Sequence, residues 1–389
     1  MPIRHPFALL CLLLVAVCLA PGPASAFTPQ PGLKPAAETL ALARWPEDEY
    51  SESLTLVAYL QGGSRLEVGA QVTNLGIGNG NGRYNLSFLD GAKIINLSDE
   101  VKHRFRWSAP PVLIEMADAL TDSAKQGGAP FRDDDPDLSK RRGLRLRTVA
   151  GTEGQPGHAL RFLASQPGFA VDLRVTAQTP LYRPGAGVFL VDGRRVELLI
   201  QMPRATVEGV VYIDGQRREV RGVGYVEHGR SNADPRRSTD RHLRLRYFGE
   251  HDGRPLTVLA FDAVTAPADG ERRYGFTVVF DGAERRFAET GPLLSGQALT
   301  PDSKRPKNLV PAQFQIAAPG VSLEGKQTRR LERYAYLEHV SGFLRLILQR
   351  FVYPVAYTQD CAARLTLDLP GLKLSDRGWA DCSVTIARP

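Results

Sequence analysis

The stretch GVGYVEHGRSN, from Gly222 to Asn232, sets a phenol, a carboxylate, an imidazole and a guanidinium within a few residues of one another: Tyr225, Glu227, His228 and Arg230. These are residue types that move protons, with the carboxyl and imidazole as donor or acceptor and the phenol and guanidinium steadying charge. On an extended strand successive side chains alternate between faces, so Tyr225 and Glu227 share one face while His228 and Gly224 take the other. A Tyr–Glu pair therefore needs only a regular strand, whereas a Glu–His pair needs a bulge. The structural alternative is that the glycines allow close strand packing and that Glu227, His228 and Arg230 form a hydrogen-bonded patch at a domain junction.

The elements that must position these groups are strands. From about Ser51 onward the chain alternates apolar and polar residues in short runs such as LTLVAYL, FAVDLRVTAQ, ATVEGVVYI, HLRLRYF and LTVLAFDAV. Turn sequences such as VDGRR, IDGQR, EHDGRP and FDGAE separate them, and Asp-Gly between alternating runs is the signature of antiparallel hairpins. The pattern predicts an all-β chain of sandwich or barrel type, with too many strands for one small barrel. A length of 389 residues exceeds what one small core serves, so two domains are expected, at 27–218 and 219–389. Helical spacing is confined to PPVLIEMADALTDSAK and GFLRLILQRFVYP, the second with Leu344, Ile347 and Phe351 on one face. The run RDDDPD, with Asp133, Asp134, Asp135 and Asp137, lacks full calcium-loop spacing and reads as a solvated turn.

At the N-terminus Arg4 precedes an apolar run from Phe7 to Ala20, then PGPASA with its small-x-small Ala24-Ser25-Ala26. The run is roughly 14 residues, short of the ~20 that span a bilayer as a helix. It reads as a cleaved export signal, 1–26, leaving a periplasmic or secreted protein that starts near Phe27. Cys11 and Cys18 leave with it, and Cys361 and Cys382 are expected to form a disulfide in the oxidising compartment. Losing Arg4 takes the formal charge from +7 to about +6, with basic clusters at Lys140–Arg147 and Asp234–Arg246. No aromatic or motif support accompanies them, so nucleic acid is not an expected partner; a solvated face is the default, with peripheral membrane contact left open.

Other chemistries fit less well. GRSNA falls one residue short of G-x-S-x-G, and no helix pattern follows it. His103, His158, His228, His242, His251 and His339 have no HxH or HxxxH spacing, so no metal or cofactor is expected. GIGNGNG precedes no helix and reads as a hairpin loop over a barrel mouth, not a phosphate cradle. An internal echo does stand out: the segments from Val207 and from Val321 share Glu-Gly, a basic hairpin and Tyr-apolar-Glu-His, matching Tyr225, Glu227 and His228 to Tyr336, Glu338 and His339. The echo points to a duplicated β-domain.

ATVEGVVYIDGQRREVRGVGYVEHGRSN resembles the middle of the double-lipocalin superfamily, which includes carotenoid 1,2-hydratases (hydroxyneurosporene synthases), exported bacterial relatives and the survival-factor lipocalins. There a Glu-Gly hairpin leads into a strand of the form G-x-G-Y-x-[DE]-H. ESLTLVAYLQGGSRLEVGAQVTNLG and RRSTDRHLRLRYF resemble strands of the survival-factor branch, so the likeness covers roughly Ser51 to Val264. It implies two tandem lipocalin-like (calycin) antiparallel barrels with few short helices, binding a hydrophobic molecule such as a lipid or isoprenoid through Tyr225, Arg230, Tyr336 and Glu338. In the hydratase branch an acidic residue of the motif protonates a C=C bond; Glu227 holds that position, with Tyr225 as cation stabiliser and His228 beside it. The aromatic that follows the His in that branch is absent here, where Gly229 and Arg230 stand. The leading expectation is a binding or carrier protein, the alternative a hydratase or isomerase, and the third a structural protein with barrels filled by side chains.

Overall fold

The Asp-Gly turns are where the hairpins are made. Asp214 and Gly215, and likewise Asp192 with Gly193 and Asp252 with Gly253, all have positive φ, the conformation that lets a two-residue turn follow the twist of its strands. The computed structural model describes residues 49–74, 81–91, 93–102, 105–107, 112–116, 138, 142–150, 156–234, 238–335 and 353–387. The first twelve strands are β1 (Ser51–Leu60), β2 (Arg65–Thr73), β3 (Asn81–Asp90), β4 (Lys93–Lys102), β5 (Phe105–Trp107), β6 (Val112–Met116), β7 (Gly143–Ala150), β8 (Ala159–Gln166), β9 (Phe169–Ala177), β10 (Val188–Val191), β11 (Arg194–Ile213) and β12 (Gln216–Ser231). Nine more follow: β13 (Arg241–His251), β14 (Arg254–Val264), β15 (Arg273–Asp281), β16 (Glu284–Thr290), β17 (Leu294–Pro301), β18 (Leu309–Ala318), β19 (Val321–Ala335), β20 (Val355–Leu369) and β21 (Leu372–Ile386).

They make two antiparallel sheets of matching topology. In the first the order is β4-β3-β2-β1-β12-β11-β9-β8-β7-β6-β5, with β10 on β11; in the second it is β16-β15-β14-β13-β21-β20-β19-β18-β17. In each, three strands run outward from the opening strand and the last strand returns to pair with the opening one, so β12 corresponds to β21. The expected pair of lipocalin-like barrels is what the chain forms. The expected division at 218/219 lies inside β12, which pairs with β1 and β11 in the first sheet; the sheets change over between Ser231 and Arg241.

Alternation sorts most of the buried side chains into three large cores, beside a small cluster of Leu138, Leu163 and Ala170. Leu54, Leu56, Tyr84, Phe88, Phe162 and Phe169 fill barrel one. Leu245, Tyr247, Phe314, Tyr357 and the Cys361–Cys382 disulfide fill barrel two. An aromatic layer that includes Tyr182, Phe189, Phe261, Tyr274 and Phe276 lies between the barrels, with Phe189 stacked on Tyr274 at 3.9 Å.

Two sequence expectations change. Val112–Met116, read as the start of a helix, is strand β6, with Leu113, Ile114 and Met116 buried; the remainder of that segment, the helix expected before Pro354, the acidic loop, the leader and all but Asn81 and Gly82 of GIGNGNG lie outside the described residues. The echo pairs unlike elements: the segment from Val207 folds as the β11–β12 hairpin, whereas the segment from Val321 runs on as the single strand β19. The duplication lies in the sheet order, not in that match.

Candidate functional site

Strand β12 carries the motif and presents it on two faces. Gly222 and Gly224 let it lie close between β1 and β11: a Cβ on Gly222 would stand 2.1 Å from the Tyr59 carbonyl oxygen, and one on Gly224 2.5 Å from Val207 Cγ2. Nothing larger fits, which is the close packing expected of those glycines.

On the outer face, toward barrel two, Tyr225 donates to Glu227 Oε2 at 2.7 Å, the pairing that a regular strand allows. Arg244 of β13 donates to Glu227 Oε1 at 2.7 Å and to His242 Nε2 at 2.8 Å. Arg246 places its guanidinium 4.6 Å from the centre of the Tyr225 ring and reaches Asp381 Oδ2 at 2.5 Å. Asp381, on β21, also accepts from the Tyr59 hydroxyl at 2.8 Å, and Arg65 stands 3.8 Å away. Tyr59 packs edge-on to Trp379 at 4.8 Å. Two carboxylates and three guanidiniums thus knit three strands of one barrel to two of the other.

The electrostatics of this face are those of closed ion pairs. Burial raises the Glu227 carboxyl, but Arg244, Arg246 and the Tyr225 hydroxyl outweigh it and hold the group below the usual carboxylate range. Burial, and then the Glu227 charge, push the Tyr225 phenol well up. Burial with Arg244 and Arg246 keeps His242 neutral, far below its usual value. An acid catalyst needs the reverse, a carboxyl held protonated, and a cation stabiliser needs an unoccupied ring face. Glu227 is an ionised partner of Arg244, and the ring of Tyr225 already serves Arg246. A cavity of about 10 Å³ lies beside them, edged by Leu198, Arg244, Phe261 and Phe276, with room for one water.

On the inner face, His228 and Arg230 point into barrel one. His228 Nε2 lies 2.5 Å from Glu52 Oε1, and the Tyr50 hydroxyl bonds the other oxygen, Oε2. Arg230 meets Glu197 through Nη2 at 2.9 Å and stands 4.0 Å from Glu52; Arg195 pairs with the second oxygen of Glu197. Glu52, Glu197, His228 and Arg230 are all buried, as is Tyr50. This is a carboxylate–imidazole pair with a phenol on its far side, flanked by a carboxylate fixed between two guanidiniums. Such a set can hold an imidazole in one orientation while it exchanges a proton.

The sequence named His228 and Arg230 but not their partners. Glu52 was findable: in SESLTLVAYL it shares its parity with the inward Leu54 and Leu56, a charge on an apolar face. Glu197 carried no such signal: β11 breaks register between Ile200 and Met202 and again before Ala205, two shifts that together restore its parity with the inward Val207, and only the pairing with Arg230 across β12 shows where it sits. The cluster around Arg244 and Arg246, read as a solvated face, is instead the junction itself. Tyr336 and Glu338, the other expected ligand residues, lie outside the described residues.

No protein-family model matches the sequence, and no curated protein matches it. Solved structures do. A Nitrosomonas europaea protein described as an AttH has a TM-score of 0.58 at 11% identity, over 92% of this chain and 98% of its own. The chain has the tandem-lipocalin fold. CghA in complex with Sch210972 scores 0.51 at 11% identity, over 87% of this chain and 88% of its own. A kievitone hydratase from Nectria haematococca scores 0.51 at 10% identity, over 87% and 89%. At these identities the likeness is one of fold, and the named compounds belong to those proteins.

Proposed function

We propose that this tandem-lipocalin protein is an enzyme of the hydratase or isomerase type, acting by proton transfer at a C=C bond of a small hydrophobic substrate, with His228 and Glu52 of barrel one as the proton-transfer pair. The observation that carries the proposal is the 2.5 Å contact between the two groups inside the barrel, with Tyr50 on the remaining carboxylate oxygen. Glu52 accepts the Nε2–H, which fixes the ring and leaves Nδ1 as the atom that gives or takes the proton. Arg230, held by Glu197, sets positive charge beside the pair, suited to steadying an oxyanion or enolate. The fold shared with a kievitone hydratase supports the reaction class. It supports the lipid-carrier expectation less, as does a barrel interior filled by Leu54, Leu56, Tyr84, Phe88, Phe162 and Phe169. The enzyme works in the exported compartment once the leader is cleaved near Ala26.

The same filled interior favours one second reading, a structural protein of the exported compartment. The two part in a single experiment. Purified full-length protein is incubated in deuterated water with a panel of isoprenoid alkenes and prenylated phenols, and deuterium or water uptake is followed by mass spectrometry. Turnover that survives Glu227→Gln but falls 100-fold or more, the range of a lost acid–base group, in Glu52→Gln and His228→Gln supports the barrel-one pair. No turnover of any panel member, with melting unaltered by panel compounds, supports the scaffold.

A further inference from the structure

The hairpin between β17 and β18 turns through Asp302–Asn308, sequence DSKRPKN, at the end of barrel two where β13 starts and β20 begins. Its only acid is spent inward. Asp302 is buried, accepting from the Tyr357 hydroxyl and from Arg333 Nε, each at 2.9 Å, while Asn308 donates to the same hydroxyl at 3.1 Å. Lys304, Arg305 and Lys307 have no carboxylate partner among the described residues; Arg305 lies over the Tyr353 ring at 3.9 Å.

Behind these cations the same hairpin holds Leu299 and Leu309 in solvent, each 44% exposed. Leu299 and Pro301 share one strand face, and Pro301 pairs with Leu309, so the three lie on one side while Val310 is buried on the other. Exposed leucines cost solvation and return nothing to the fold. A row of cations beside exposed aliphatic side chains is the composition of an interfacial membrane contact. A second copy is a poor occupant, because a two-fold contact through this patch would set Lys304 and Lys307 against their own kind.

We propose that the β17–β18 hairpin docks the protein on lipid bilayers that carry anionic headgroups, with Leu299 and Leu309 entering the interface and Lys304, Arg305 and Lys307 meeting the headgroups. The docking needs no catalytic activity and stands apart from the proton-transfer reading.

The test is flotation of full-length protein with vesicles of phosphatidylcholine alone and of phosphatidylcholine with an equal part of phosphatidylglycerol. Binding is expected to the anionic vesicles only and to weaken with added salt. The pair Lys304→Glu with Lys307→Glu and the pair Leu299→Ser with Leu309→Ser should each weaken it by about tenfold or more. Lys373→Glu, the same exchange at a single exposed position near the start of β21, at the other end of the barrel, should leave it unaltered. The four changed side chains are on the surface, and circular dichroism checks that each variant folds. Wild type that floats with neither vesicle, or floats equally in all variants, overturns the proposal. So does a dimer by size exclusion that the leucine pair abolishes while vesicles stay unbound.

Discussion

Barrel one and barrel two share the strand arrangement around their opening and closing strands, yet the ends of those strands hold different chemistry. In barrel one the inward pairs are Glu52 with Arg230 and Leu54 with His228. In barrel two they are Arg241 with Ile386 and Leu243 with Val384. The second barrel demonstrates that this fold closes with apolar side chains at Leu243 and Val384. The buried ions of barrel one are therefore not a requirement of the architecture, and ions are expensive to bury without a use. A second contrast runs through β12 alone. Its outward Glu227 is locked between an arginine and a tyrosine, while its inward His228 shares a carboxylate that a tyrosine also touches.

The contrast breaks most severely at the junction. Arg246→Met leaves Asp381, with no exposure of its own, short of its closest cation, and unpaired buried charge of this kind costs about 3–5 kcal/mol. Urea unfolding should show that loss. A loss below about 1 kcal/mol would mean that Arg65 moves in from 3.8 Å to take the place of Arg246.

Barrel two also has an inward acid near the same end on β14, Asp262, opposite Leu243. Burial raises its carboxyl to about 6, against the pull of Arg273 at 2.9 Å. A folded value above the unfolded 3.8 means that the protonated acid favours the fold: the contribution is complete below 3.8 and is lost as pH rises through about 6. Wild type should lose up to about 3 kcal/mol between pH 4 and 7 from this group, and Asp262→Asn should remove that slope. A slope unchanged in the variant would place the titration elsewhere.

The double replacement Glu52→Leu with His228→Val puts apolar side chains in place of the buried pair of barrel one, at His228 the type that barrel two has in Val384. Exchanging a buried ionic pair for apolar groups is neutral or stabilising by about 1–4 kcal/mol, whereas Glu52→Leu alone should destabilise by leaving His228 and Arg230 facing lost charge. Thermal melts of the single and double variants measure this. A double variant as unstable as the single one would make the cluster structural.

How much of this was legible follows from range along the chain. Alternation and Asp-Gly turns are local, so the strands and hairpins could be read directly, and Tyr225 with Glu227 followed from the period of two. HLRLRYF also reads correctly as a strand, and Arg244 and Arg246 lie on its outer face. What no local pattern reveals is that this outer face abuts a second barrel, or that Asp381, near the end of the chain, waits there for Arg246. Val112–Met116 failed for the opposite reason: its apolar run suits a helix or a buried strand equally, and pairing with β7 decides.

The smallest expected effect carries the finest distinction. Glu227→Gln keeps the shape of the side chain and a possible bond to Tyr225 but gives up the charge that faces Arg244, which is partly exposed and can turn to water; about 1–2 kcal/mol should be lost at pH 7. Because Arg244, Arg246 and Tyr225 hold the wild-type carboxyl below its unfolded 4.5, its contribution is present above 4.5 and disappears as pH falls through the folded value. The stability gap between wild type and variant should therefore close on the acid side and stay constant from pH 6 to 8. Turnover in the same variant tells which face of β12 reacts. If it holds while His228→Gln abolishes it, the inward face is the reactive one. If Glu227→Gln abolishes turnover and leaves the gap near 1 kcal/mol, the proton passes at the junction, and the cluster of barrel one is there to hold the strand.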